Sequence, residues 1–312
     1  MEEVISGVSV SRDRISQVIA TVFSARENRT GLFIENIDPP ERQFIELAAE
    51  HGRRIADDSF ALHSLFLTVP FIRGQDTFRF FRRLADPVLL ERNAWVFQPS
   101  EVISQSDAGV DIELAVRNYL HPAGYSAYAL RQYVHNCRVL QSQYAGSIQN
   151  FFMENGADAI RIVNSLVLYP RAKTEDKKEF RCFGPKLARL FAQWVEQYKL
   201  YPLINADQIG LPVDFQLTRI LIQTGGLVLE APTQTHTLTY KVVLPILEEL
   251  CTMHGWNPQI VSESLWLIGA LGCNKRNHIA CPVVDMCDRL ISRAPYDNGG
   301  KFDPTDVGRY EP

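Results

Sequence analysis

Two residues beside breaks in the chain carry side chains suited to chemistry. Lys186 follows Gly184 and Pro185 at the entry to an amphipathic stretch, LARLFAQWVEQY. Proline suits the first helical turn, where its missing N–H would have no partner anyway. The glycine before it permits a tight turn of positive φ. The open N–H groups of such a helix start form a seat for an anion. A lysine there opposes the helix dipole, so it is either a surface lysine with its head in water or an amine held for a reaction. In its neutral form that amine is a nucleophile. Asp214 follows Pro212 and Val213 and precedes a strongly apolar segment. A carboxylate in that position caps a helix, and the same charge can stabilise a cation that forms during a reaction.

Helices must position both residues, and apolar residues recur at helical spacing through most of the chain. The pattern predicts helices over 11–25, 40–55, 75–85, 110–119, 126–143, 157–166, 185–199, 214–224, 239–254 and 258–271. Strand signals are confined to 31–35 (GLFIE) and 227–230, and no sheet is expected. Breaks at 121–124 (HPAG), 169–171 and 231–236 (APTQTH) mark connections. KTEDKKE at 173–179 reads as a solvated loop or helix end, and the tail from Ala294, rich in proline and glycine, reads as irregular. There is no internal repeat. The expected fold class is all-α, with 1–312 as one unit.

Composition narrows the function classes. The chain has 312 residues, 46% hydrophobic and 22% charged, which is ordinary for a globular protein. No apolar run approaches the roughly 18 residues of a membrane span. The first residues, MEEVISGVSVSRDR, are too polar and acidic for a secretory signal. Six cysteines in a chain of this length do not make a disulfide scaffold, so a cytoplasmic protein with reduced thiols is expected. A net charge of −4 weighs against a sequence-independent nucleic-acid clamp, although a local basic patch is compatible with it.

Taken together, several segments resemble the helix-hairpin-helix DNA glycosylase superfamily, which includes endonuclease III and the 8-oxoguanine and adenine mismatch glycosylases. The family's hairpin stands here as Phe180-Arg181-Cys182-Phe183-Gly184-Pro185-Lys186-Leu187-Ala188. Its essential aspartate lies in a V-D-x-x-x-x-R stretch, matched by Val213-Asp214 through Arg219. Upstream, Gly124-Tyr125, Ala129 and the helix QYVHNCRVLQSQYAG resemble the approach to the hairpin. Downstream, Trp266 to Gly269 and then Cys273, Cys281-Pro282 and Cys287 resemble the C-terminal cysteine segment. The likeness covers roughly 120–290. It departs from the family at Cys182, which replaces the first hairpin glycine and predicts a different turn. It departs again in the long stretch between Lys186 and Asp214, which contains LYPLINADQIG.

The resemblance implies two helical lobes with the active site in the cleft between them: a hairpin-bearing lobe over about 60–210, and a second from 1–59 with 211–312. It also implies roles. Asp214 would lie beneath an oxocarbenium-like sugar, as carboxylates do in glycoside hydrolysis. Lys186 would attack C1′ and form a Schiff base, after which the strand can be cleaved; without that attack, water completes base release. Arg181, Phe183, Gly184, Pro185 and Arg189 would contact DNA, with Lys177 and Lys178 adding charge. The target base must be flipped from the duplex, and Tyr125, Tyr128, Tyr133 and Trp266 are candidates to stack on it, the alternative being that they are core.

Iron–sulfur members of that superfamily carry four cysteines at fixed spacing. Here Cys281 and Cys287 keep the last spacing, His278 stands where the second cysteine would, and Cys273 lies two residues too close to Cys281. Three thiols and an imidazole would suit zinc, or a cluster with one histidine ligand. The alternative is a relic segment with buried thiols, and the reaction itself requires no cofactor. Cys137, Cys182 and Cys251 read as core or turn residues.

The expected function is a DNA N-glycosylase that excises a damaged or modified base and leaves an abasic site; a hypermodified base of invading phage DNA would suit so divergent a member. The partner would be DNA containing that base, with no membrane and no obligate protein partner. A queuosine-salvage-type nucleotide N-glycosylase is the alternative, favoured by the acidic balance and by Asp214-Phe215. A scaffold that binds DNA without chemistry is the third reading.

Overall fold

Short polar side chains write most of the helix starts. Ser11, Asp76, Asp111, Ser126, Asp158 and Asn257 each accept hydrogen bonds from first-turn backbone N–H groups, each cap stabilising its helix by about 1 kcal/mol. The computed structural model describes residues 2–5, 7–34, 39–72, 76–167, 180–287, 289–291 and 300–309. These are mostly helical.

The chain opens with β1 (Glu2–Ile5), β2 (Val8–Ser11) and α1 (Arg12–Glu27), followed by a 3-10 turn at Gly31–Phe33. Next come α2 (Arg42–Ile55), α3 (Phe60–Thr68), α4 (Thr77–Leu84), α5 (Pro87–Asn93), α6 (Pro99–Asp107) and α7 (Ile112–Leu120). They are followed by α8 (Ala127–Tyr144), α9 (Ile148–Glu154), α10 (Ala159–Leu166) and α11 (Pro185–Gln197). After α12 (Phe215–Gln223), β3 (Leu227–Leu229) and β4 (Thr233–Gln234), the short α13 (Thr235–Thr237) passes through a π-helical stretch, Leu238–Val243, into α14 (Leu244–His254). Helix α15 (Pro258–Leu267) runs into a second π-helical stretch, Ile268–Cys273, and β5 (Arg289–Ile291), β6 (Lys301–Phe302) and β7 (Val307–Arg309) follow.

The chain divides into two compact units, Met1–Ile37 with Gly210–Pro312, and Asp38–Ile209. The second unit is built from α2 to α11 around a phenylalanine-rich core that includes Phe44, Phe60, Phe66, Phe97, Phe151 and Phe191. Helix α2 packs on α3, α4 and α5, so this unit begins at Asp38 and not near residue 60. Helix α3 has no counterpart in the predicted pattern because all nine of its residues are buried; a helix apolar on every face carries no amphipathic period.

The first unit contains a sheet, which the sequence reading did not expect. Its order is β1-β2-β3, antiparallel, with Val8 opposite Leu229 and Val10 opposite Leu227. Val8, Val10 and Leu227 are fully buried, so the sheet face is part of the core. The signal at 227–230 contains a true strand, Leu227–Leu229; of that at 31–35, Gly31–Phe33 is a 3-10 turn. The tail is ordered where described, with β6 paired to β4 and β7 to β5.

Candidate functional site

The hairpin segment of the second unit is fixed from inside. Phe180 and Phe183 are buried and share Phe66, whose ring meets the first edge-on at 4.9 Å and stacks on the second at 5.0 Å. From α8, Asn136 reaches Arg181: its Oδ1 accepts from the Arg181 N–H at 2.7 Å and its Nδ2 donates to the Arg181 carbonyl at 3.1 Å. Cys182 then takes φ 71. The cysteine was expected to force a different turn. Instead the backbone adopts the left-handed conformation that favours glycine, at a cost of about 1–2 kcal/mol for a residue with a Cβ. Gly184 is extended, with φ −97 and ψ 177, so the positive φ lies two residues earlier than the sequence reading placed it. A Cβ on Gly184 would meet nothing within 4 Å; no neighbour in the chain requires glycine there.

Helix α11 starts at Pro185, and its N-cap residue, Gly184, has no side chain to cap it. Lys186 is its second residue, and Arg181, Lys186 and Arg189 are all half-buried. Phe183 is 2% exposed, so it anchors the hairpin and is not available as the DNA contact expected of it. Lys177 and Lys178 lie outside the described residues.

Asp214 belongs to the first unit. It is the N-cap of α12, its Oδ1 accepting from the N–H groups of Gln216 at 2.8 Å and Leu217 at 3.3 Å. The residue is 8% exposed. The Thr218 hydroxyl donates to the Asp214 carbonyl and pairs with the Thr239 hydroxyl at 3.0 Å, tying the helix start to the first π-helical stretch. Arg219 donates to the Gly269 carbonyl and the Asn274 side chain, both at 3.0 Å, which ties α12 to the second. Gly269 is required here, since a Cβ on it would lie 2.9 Å from the Gln216 side chain. Arg219, read as part of the aspartate motif, thus holds the wide helical turn beside α12.

The aromatic candidates differ in place. Tyr133 is core, 3% exposed, with its hydroxyl donating to the Val96 carbonyl and its ionisation suppressed by burial; it has no face left for a base. Tyr125 is half-buried against the same core and Tyr128 is half exposed. Trp266 lies in the first unit, half-buried on α15.

Among the described residues no three His, Cys, Asp or Glu side chains are placed to hold an ion. Cys273 and Cys281 interact, and burial pushes both thiols up, Cys281 to about 11; the Arg219 guanidinium partly opposes this at Cys273. His278 and Cys287 do not join them in a cluster. Cys137 and Cys251 are buried core residues.

Sequence reasoning missed Asn136. The available signal was an asparagine inside the helix QYVHNCRVL, where its side chain competes with the backbone and disfavours helix. No family model matches the chain, and no curated protein matches it. Among the described residues no helix is long and apolar enough to cross a membrane.

Proposed function

We propose that the protein is a DNA N-glycosylase of the helix-hairpin-helix kind, with two helical lobes, that flips a damaged or modified base out of the duplex and releases it. The observation that carries this reading is the hairpin. A left-handed Cys182, an extended Gly184 without a side chain and the proline-led start of α11 follow one another. A backbone so arranged suits a DNA phosphate, which binds first-turn N–H groups and the dipole behind them. The absence of a side chain at residue 184 lets a phosphate come close.

Asp214 supports the reading from the first unit. Two N–H groups hold its carboxylate in one place, and a fixed negative charge stabilises an oxocarbenium-like sugar without reorganising during the reaction. As the N-glycosidic bond breaks, the base leaves with the bonding electrons and takes up a proton. The Lys186 nitrogen then bonds to C1′, giving its protons to solvent and to O4′ as the C1′–O4′ bond opens and leaves an imine; where it does not attack, water does. The net charge of −4 favours a second reading, a nucleotide N-glycosylase of the queuosine-salvage type acting on a free nucleotide.

Borohydride reduction tests the mechanism, since it converts the imine into a permanent cross-link. The expected result is an enzyme–DNA adduct on duplex DNA carrying the excised base, absent in Lys186→Gln. Base release without an adduct assigns the attack to water, and an adduct that persists in Lys186→Gln removes the lysine from its role. Affinity separates the substrates: duplex binding falls steeply with salt because counterions are released, whereas salt-insensitive turnover of a free nucleotide would overturn the DNA reading.

A further inference from the structure

The hairpin holds a cysteine in a glycine's conformation, and one distant side chain grips the residue before it. Asn136 is 4% exposed in the interior of α8. Its carboxamide is a two-point partner for Arg181, which follows it by 45 residues: one oxygen receives the backbone N–H and one N–H is given to the backbone carbonyl. A side chain here does what a neighbouring strand would do. Cys182, the next residue, stands at φ 71. Phe180 and Phe183 are buried on either side, and their rings fix side-chain positions. The two planes that flank Arg181 are those that Asn136 engages.

We infer that Asn136 is the positioning residue of the hairpin: by pairing with both backbone groups of Arg181 it keeps Cys182 left-handed in the free protein and so presets the start of α11, where Lys186 stands. This inference rests on the reading of the hairpin as the element that meets DNA. Without the carboxamide, two backbone groups beside a phenylalanine cluster lose their partner, and the left-handed conformation loses what offsets its strain. The turn then relaxes toward negative φ, and the peptides leading to Gly184 re-aim. Aspartate keeps the acceptor and the shape but cannot donate, so it preserves one of the two bonds.

Amide hydrogen exchange in the absence of DNA tests the inference directly. Asn136→Ala is expected to speed exchange across 181–187 by about tenfold, the scale set by losing a buried hydrogen-bonded partner, while exchange in α3 and α9 stays as in the wild type. Asn136→Asp is expected to fall between the two, and it carries the comparison if the alanine variant does not fold. Adding Cys182→Gly to either variant should restore much of the protection, because glycine holds a left-handed φ without help. Affinity for a duplex with an abasic-site analogue should follow the same order. Unchanged exchange at 181–187 in Asn136→Ala overturns the inference. So does faster exchange spread evenly over the unit, and so does failure of Cys182→Gly to rescue. A wild-type protein that does not bind the duplex overturns the DNA reading instead, and leaves the exchange result to decide the role of Asn136.

Discussion

A side chain that caps a helix and one that stabilises a reacting sugar can be the same aspartate, and Asp214 allows the two roles to be measured apart. Its cap bonds use one carboxylate oxygen, and asparagine caps about as well as aspartate. Asp214→Asn should therefore melt within about a degree of the wild type while base release falls by 10²-fold or more, roughly the loss seen when one electrostatic stabiliser is removed. Asp214→Ala should lose activity similarly and also about 1 kcal/mol of stability. Thermal melts beside single-turnover base release decide it; an active Asp214→Asn variant reduces the residue to a cap. At this scale the sequence was readable where a side chain sits at a helix end. Asp214 is a cap and Pro185 is a first-turn residue, as local rules require. It was not readable where a partner lies far along the chain. Nothing near Arg181 announces Asn136, nothing near Cys182 says that a cysteine will take a glycine's φ, and nothing near Tyr133 reveals that its hydroxyl belongs to Val96.

Among elements, most helices were legible, but α3, α5, α6, α9 and the short α13 were not. Helices α8 and α11 lie close to their predicted spans. Helix α3 was invisible because it is buried all round, and the two π-helical stretches were hidden inside segments of ordinary helical period. The sheet escaped because β2 offers only four alternating residues and its partner β3 lies more than two hundred residues away. The end of α1 shows how such distant elements lock. Arg29 takes φ 52, its N–H bonds the Arg26 carbonyl and that of Thr30 the Ala25 carbonyl, a closure in which glycine is usual at the left-handed position. Gly31 follows at φ 58, and a Cβ on it would lie 2.4 Å from the Ala280 carbonyl oxygen. Gly31→Ala thus combines a left-handed Cβ with a backbone clash and should cost about 2 kcal/mol or more. Denaturant unfolding measures it; a loss under about 0.5 kcal/mol, the size of an ordinary surface change, would mean that the loop at Ala280 yields freely.

For the molecule as a whole, one buried histidine couples the second unit to pH. His63 on α3 is buried, and its Nε2 accepts the Ile148 N–H at 3.0 Å at the start of α9. Its Nδ1 lies 3.2 Å from the Ser59 hydroxyl, which in turn donates to Asp57 at 2.6 Å. This chain of bonds requires the neutral ring with its proton on Nδ1. Burial lowers the pKa of His63 from 6.5, with Asp57 opposing. The unfolded chain therefore binds this proton first as the pH falls, so stability is lost from about pH 6.5 downward until the folded pKa is passed, by up to roughly 1.4 kcal/mol per pH unit. Above that window His63 contributes no pH dependence. Melting temperatures of wild type and His63→Gln between pH 8 and pH 5 test this through the slope: the variant should show the flatter decline, and parallel curves would exclude His63 as the titrating group.

The route of the chain through the two units has a consequence for synthesis. Every core residue of the second unit, from Phe44 to Ile209, lies in one continuous stretch, while the first unit waits for partners at both ends of the sequence. On a ribosome residues 1–37 emerge well before residues 210–312, and Val8 and Val10 of β2 have no β3 to pair with until Leu227–Leu229 is made. At about 5–20 residues per second that interval is of the order of ten seconds or more. The later unit can close its core on the nascent chain during that time, whereas an early apolar strand and helix stay unsatisfied. Chaperone contacts during synthesis would therefore fall on β2 and α1, and loss of residues 210–312 would leave the first unit without its fold.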